Sequence, residues 1–472
     1  MADELQSTIS SNLKQVLVSL ISSLGMLQTG MVLGYPAVML PAIIDRGGNN
    51  STFSVNSNQA SWIASLSSIS TPIGCLICGP MIDGWGRATT IKIINVPFIL
   101  GWILIALYQE LILIYIGRII CGIAIGLSSI PSAVYITEIT SKSMRGALTI
   151  IGSLEISAGI IIIYLLGMFF NDDYQYLAWL SAGVSISSTL LTLCFLPESP
   201  IWLLNRKKKL QAKKTLMEDQ HASDPSIARS EIETLAPSTS QENTSHTKWS
   251  RTIVQLRRPQ SYKPLIIMNL FFLFQQFSGI MAVIVYAPNF AKDAGITGHI
   301  QLVALSIAVV RMFSILIAAW ASRKFGRRKP AIFSGIGMTI FLSMLTLNIY
   351  IQGIAHSSDT GEIAWLPVTC LLLYIFTSCV GFATLPWSMI GEVFPTEIRG
   401  VASGFTACMA YVYSFLSIKF YPDMEEQLGE GGIFLFYFIA ATLGTVFVIL
   451  FLPETQGKTL DEIGNDFAKT NG

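Results

Sequence analysis

Charge is what this sequence has least of. Asp, Glu, Lys and Arg make up only 12% of the 472 residues, against 52% hydrophobic ones, and histidine occurs four times. A soluble protein of this size needs more polar surface than that, which excludes a water-soluble enzyme. Cysteine is present seven times, but every copy lies within an apolar run. Cys75-x-x-Cys78 has neither His nor acidic company on its helix, so it reads as packing rather than redox or metal chemistry. No metal and no cofactor is expected, and no catalytic constellation stands in the loops. The net charge is +1 and the basic residues are dispersed, which argues against a nucleic-acid partner. The polar Met1–Asn12 leads into an apolar run too long for a signal core, so no cleavable signal peptide is expected.

Long apolar runs are what is abundant. Twelve can cross a bilayer, at about 14–43, 60–82, 90–108, 111–136, 147–169, 175–196, 264–291, 300–322, 329–353, 364–390, 398–422 and 431–452. Each meets the need for roughly 20 apolar residues. Lys and Arg set the orientation. With the N-terminus inside, the inner segments and helix ends are assigned Lys14, Arg87, Lys92, Arg118, Lys142, Arg145, twelve residues from Arg206 to Lys263, the Arg323–Lys329 cluster, Arg399, Lys458 and Lys469. The outer segments hold Arg46, Lys292 and Lys419. The expected protein is all-α and multi-pass in the plasma membrane, with both termini cytoplasmic. It divides into an N-terminal six-helix half (1–196), a cytoplasmic linker with short helices (197–263), a C-terminal six-helix half (264–453) and a tail (454–472). Within the linker, Arg206–Met217 reads as a basic amphipathic helix and Ala222–His246 as loosely ordered. Overlapping sequons at Asn49 and Asn50 fall outside and are expected to carry glycan, while the one at Asn243 falls inside.

The halves repeat one another. Glu138-x6-Arg145-Gly146 returns as Glu392-x6-Arg399-Gly400, Gly86-Arg87 as Gly326-Arg327, and Leu196-Pro197-Glu198-Ser199 as Leu452-Pro453-Glu454-Thr455. Such duplication of apolar blocks is characteristic of membrane transporters, with the substrate site expected between the halves. Any one charge at a helix end reads as a solvated anchor. Their paired recurrence instead predicts a cytoplasmic gate of ion pairs from Asp83, Arg87, Arg118, Glu138, Arg145, Glu198, Arg327, Glu392, Arg399 and Glu454, breaking together when that side opens.

With these motifs the chain resembles the sugar porter family of the major facilitator superfamily. The matching stretches include Asp83-Gly-Trp-Gly-Arg87, Gly117-Arg118-x3-Gly122-x3-Gly126, Pro197-Glu-Ser-Pro-Ile-Trp-Leu203, Gln275-Gln-Phe-Ser-Gly279, Pro386-Trp387-x4-Glu392 and Pro453-Glu-Thr-Gln-Gly457. Within the family it is most similar to insect facilitated trehalose transporters. The resemblance implies twelve transmembrane helices in two six-helix halves, alternating access, and a sugar site in the central cavity. Its partners would be a small-molecule sugar and the lipid bilayer, with a monomer able to transport. Gln275 and Gln276 both donate and accept, as sugar hydroxyls require, and Trp387 offers a flat face to the ring. Ser153, Met281, Tyr286 and Arg311 complete the candidate substrate-binding set.

Two of these positions and one further pair depart from the family pattern: Met281 stands where Asn is usual, Ser153 where hexose facilitators offer Gln, and Ala410-Tyr411 where Asn-Trp is usual. Proton-driven members have an Asp on the first helix; here Val32 occupies the matching place and no acidic residue occurs between Gln15 and Ile44. That favours downhill uniport of trehalose or a hexose. Arg311, 12 residues before Arg323 and hence about 18 Å deep, either contacts solute, pairs with Glu155, or disables normal transport. The competing readings are a non-transporting sugar sensor and a porter of a polyol or other non-hexose solute.

Overall fold

In a computed structural model, residues 2–44, 55–107, 110–141, 144, 148–170, 173–205, 258–293, 300–355, 365–395, 398–458, 462 and 467 are described. Lipid offers no hydrogen bonds to a backbone, so an apolar chain of this kind satisfies its own amides by forming helices. Every regular element among the described residues is helical. They are α1 (Ala2–Ile44), α2 (Ser57–Trp85), α3 (Arg87–Ala106), α4 (Leu111–Ser128), α5 (Pro131–Ile139), α6 (Ile151–Phe169), α7 (Tyr174–Phe195) and α8 (Pro200–Asn205), then α9 (Pro259–Phe277), α10 (Ile280–Val285), α11 (Ala287–Asp293), α12 (Ile300–Phe325), α13 (Arg328–Ala355), α14 (Trp365–Val380), α15 (Leu385–Val393), α16 (Arg399–Lys419) and α17 (Tyr421–Phe451). Among these residues eleven segments are long and apolar enough to cross a membrane, with α4–α5 and α14–α15 each making one crossing. Their outward faces carry exposed large apolar side chains such as Leu76, Phe169, Leu347 and Leu450, a surface suited to lipid rather than water.

The twelfth expected crossing, 264–291, is present but broken into α9, α10 and α11. Gly279, at φ +90°, adopts a left-handed conformation that interrupts the helical ladder. Neighbouring side chains take up nearby carbonyls: Tyr374 donates its hydroxyl to the Ser278 oxygen at 2.7 Å, and Ser417 donates to the Gln276 oxygen at 2.9 Å. The break is therefore satisfied by protein, the condition on which irregular backbone survives at membrane depth.

The chain forms two compact units that cut across the sequence repeats. One comprises Met1–Val32, Ser70–Gly159 and Gln175–Glu242; the other comprises Leu33–Ile69, Ile160–Tyr174 and Asn243–Gly472. In the first unit, a Cβ on Gly30 would strike the Ile156 carbonyl and one on Gly159 the Leu27 carbonyl, so hydrogen at both positions lets α1 and α6 touch backbone to backbone. Ala88, Ile91, Tyr135, Ile139 and Leu196 form a core under the start of α3. In the second unit, α13 packs on α14 and α17 while α9 packs on α16 and α17. Phe290 and Tyr286 both stack on Tyr421, at 4.9 and 4.6 Å between ring centroids.

The sequons at Asn49 and Asn50, the linker helix at 206–217 and Arg145 lie outside the described residues.

Candidate functional site

The paired motifs assemble into two polar clusters of one design. In the first unit, α2 ends at Trp85 and α3 begins at Arg87, joined by Gly86 at φ +110°. The Glu198 carboxylate lies where a Cβ on Gly86 would be, and it accepts the Ala88 and Thr89 amides at 2.9 and 3.2 Å. A carboxylate there satisfies free N–H groups and meets the positive end of the helix dipole. Arg87 donates through Nε to Glu138 Oε1 at 3.1 Å and through Nη1 to the Ile82 carbonyl at 3.3 Å. The Ser199 hydroxyl donates to the other Glu138 oxygen. Asp83 reaches Arg87 from 3.5 Å but is largely exposed.

The second unit repeats this arrangement, with the capping carboxylate shifted one residue closer to its glycine. Gly326 turns at φ +87°, and Glu454 accepts the Arg327 and Arg328 amides at 2.8 and 3.1 Å. Arg327 holds both oxygens of Glu392, at 2.7 and 3.2 Å, and reaches back to the Ser322 carbonyl at 3.2 Å. The Thr455 hydroxyl bonds Glu392 at 2.9 Å, in the place of Ser199. Burial of Glu454 pushes its carboxyl up, but the amides of Arg327, Gln456, Arg328 and Thr455 together hold it below its ordinary value. The sequence grouped these charges in one gate without assigning partners. In the structure Glu138 is held by Arg87 and Glu392 by Arg327, while Arg399 donates to the Phe394 carbonyl at 3.4 Å.

Arg118 is a correction. Expected at the cytoplasmic gate, it is buried seven residues into α4 and donates to the Val32 carbonyl of α1 at 2.8 Å. Glu138 lies 20 residues further along the same crossing, about 30 Å away by helical rise. Counting its GR motif with the inner loops ignored that this crossing runs in the opposite direction from its neighbours.

The candidate substrate residues cluster at the helix break. Gln275 and Gln276 are buried on the last turn of α9. The Gln275 amide nitrogen donates to the Ala383 carbonyl at 2.8 Å, and the side-chain oxygens of both residues have no hydrogen-bond partner among the described residues. Trp387 packs edge-on against Phe272 at 4.9 Å and against Tyr411 at 5.5 Å, and remains partly exposed. Asn269 donates to Thr406 at 3.4 Å and leaves its own side-chain oxygen unpartnered. Met281 is half-buried on α10, whereas Tyr286 is buried and donates to the Ile418 carbonyl at 3.3 Å. Arg311 sits midway along α12, half-buried, with Tyr164 and Cys379 within electrostatic range and no ion pair or hydrogen bond among the described residues.

Two residues of α6 belong to the first unit. Ser153 is exposed and lends its carbonyl to Ser157 at 3.3 Å. Glu155 is buried beside Ser23, with Oε2 unpartnered. Asn269, Thr406 and Phe272, which adjoin these candidates, were not singled out from the sequence. The signal was present in the polar Asn269 and the aromatic Phe272 on the same helix as Gln276.

A family described as "Sugar (and other) transporter" matches residues 17–467. A facilitated trehalose transporter Tret1-2 homolog of Drosophila simulans is 32% identical over 451 residues, covering 95% of this chain and 90% of that protein. The Tret1-1 facilitated trehalose transporter of the same species is also 32% identical, and the match covers 95% of this chain but 51% of that longer protein. Among solved structures, the E. coli xylose transporter XylE in a partially occluded inward open conformation superposes with a TM-score of 0.76 at 22% identity, covering 94% of this chain and 99% of XylE. XylE bound to 6-bromo-6-deoxy-D-glucose gives 0.74 at 22%, covering 97% and 100%. At that identity the likeness establishes the fold.

Proposed function

This chain belongs to the sugar (and other) transporter family, and from that premise we propose that it is a plasma-membrane uniporter that carries trehalose or a hexose by alternating access, with both termini in the cytoplasm. The observation that carries the substrate site is the pair of adjacent buried glutamines whose side-chain oxygens lack partners. Buried amides left unsatisfied are costly, and a ring of sugar hydroxyls supplies the missing donors. Trp387, held on two sides by Phe272 and Tyr411, presents its remaining surface to the apolar face of the ring. Arg311, with five N–H donors and no ion pair or hydrogen bond among the described residues, adds a further contact to solute oxygens.

The two Arg–Glu clusters are the hinges of the cytoplasmic gate. Counting crossings from the N-terminus brings Arg87, Glu138, Glu198, Arg327, Glu392 and Glu454 to the face that the Lys and Arg distribution makes cytoplasmic. Each cluster clamps a tight turn to the end of a distant helix and so makes a rigid group of helices, which rocking about a midplane site requires. Uniport is supported by α1, which has no acidic residue between Gln15 and Ile44; the buried Arg118 donates there to the backbone oxygen of Val32, a group that cannot take up a proton.

Uptake of a labelled panel of trehalose, glucose, xylose and a polyol into vesicles holding the purified protein tests this reading. Saturable trehalose or hexose entry is expected. Binding without uptake would favour a sensor, and uptake of the polyol alone would move the substrate class.

A further inference from the structure

Lys419 is the last residue of α16, and it is buried. Its Nζ donates to Asn58 Oδ1 at 3.0 Å and to Ser61 Oγ at 2.8 Å, and lies 5.1 Å from the centre of the Trp62 ring. One turn earlier, Phe415 packs on the same Trp62 ring at 5.9 Å. Asn58, Ser61 and Trp62 form the first turns of α2, in the first sequence repeat, while Lys419 belongs to the second, more than 350 residues away. All four lie in the second compact unit. The seam is continued by Tyr164 of α6, whose hydroxyl donates to the Ile284 carbonyl of α10. Counting crossings, the start of α2 and the end of α16 share the membrane face opposite to the two Arg–Glu clusters.

We propose that Lys419 is the positioning residue of a latch that holds this outer face shut by seating its ammonium on Asn58, Ser61 and Trp62, and that solute enters there only when it lets go. The choice of partners fits a contact that must break in every cycle. Two neutral oxygens and a ring hold a desolvated ammonium, yet none is a carboxylate, and no ion pair to Lys419 exists among the described residues. An ammonium is a strongly hydrated point charge, so water replaces each of these contacts as the face opens. Both states are thus satisfied, which a two-state element requires. The contrast with the opposite face is chemical: there, arginines bind glutamates within each cluster, bonds suited to staying made. The inference rests on the transporter reading for its meaning, though not for its geometry.

Two variants move the latch in opposite directions. Lys419→Met keeps the stem and removes the charge. Asn58→Asp places a carboxylate against the ammonium and turns a neutral contact into an ion pair. In the full chain reconstituted into lipid vesicles, hydrogen exchange at 57–62 and 415–420 is expected to rise several-fold in K419M and fall several-fold in N58D. Trehalose or hexose exchange is expected to slow at least threefold in N58D. Shifts of the same sign in both variants, or unchanged protection in both, would overturn the latch. Opposite protection shifts with an unaltered exchange rate in N58D would also overturn it as a gate. A wild-type protein that moves no sugar defeats the proposed function instead, while the protection arm still reads the latch.

Discussion

Gln275 and Gln276 carry the most direct test at the scale of single residues. Replacing either with Leu removes an acceptor that solute hydroxyls would satisfy, at roughly 1–3 kcal/mol each, or about tenfold in affinity at 1.4 kcal/mol per decade. Truncating Trp387 to Ala weakens the stacking face. Titration of trehalose against the three variants checks this, and unchanged affinity in all three would remove the site from α9 and α15. Glu454 makes a separate prediction. Its folded carboxyl is held below the ordinary value of 4.5 by four backbone amides, so its ionised form stabilises the fold above that value. The contribution is lost as pH falls through 4.5 and below. Melting temperature in detergent should therefore drop more steeply on acidification in the wild type than in Glu454→Gln, and parallel curves would refute the cap.

Helix ends decide the behaviour of whole elements. The turns into α3 and α13 each need a glycine, Gly86 directly before α3 and Gly326 two residues before α13, because a side chain would adopt a disfavoured positive φ and collide with the capping carboxylate. Gly86→Ala and Gly326→Ala are each expected to cost about 1–3 kcal/mol, seen as lowered melting temperatures, with the loss similar in the two repeats. Arg327→Ala leaves Glu392 with Thr455 alone. It should loosen the group of helices that the cluster clamps, bias the transporter toward its inward-open state and slow exchange while surface expression survives. Normal exchange with unchanged state populations in both Arg327→Ala and Arg87→Ala would end the gate assignment.

Across the whole molecule, the prediction is uncoupled transport. The buried arginine of α4 donates to a carbonyl on α1, a helix with no acidic residue between Gln15 and Ile44, so an imposed pH gradient is expected to leave the final internal sugar concentration equal to the external one. Accumulation above the external level would refute uniport and direct attention to Glu155, whose buried carboxyl has one oxygen free.

The crossings, the two-fold repetition and the membership of Glu138, Glu198, Glu392 and Glu454 in a shared design were legible in the sequence, because apolar length and duplicated motifs are properties of the chain itself. The glutamine pair and Trp387 stood out as candidates in the sequence, since polar and flat groups inside a span are conspicuous by chemistry. What the sequence left open was which partner each charge chooses. The Glu-x6-Arg spacing names no partner for its glutamate, whereas a helix that ends at Ile139 points Glu138 across to the Gly86 turn, where Arg87 is within 3.1 Å. Likewise Arg118 joined the inner charges on motif alone, until the direction of α4 set it deep in the span. Lys419 counted only as one outer charge. Only tertiary packing brought Asn58, Ser61 and Trp62 beneath its ammonium, because that contact joins helices whose separation along the chain leaves no periodic trace.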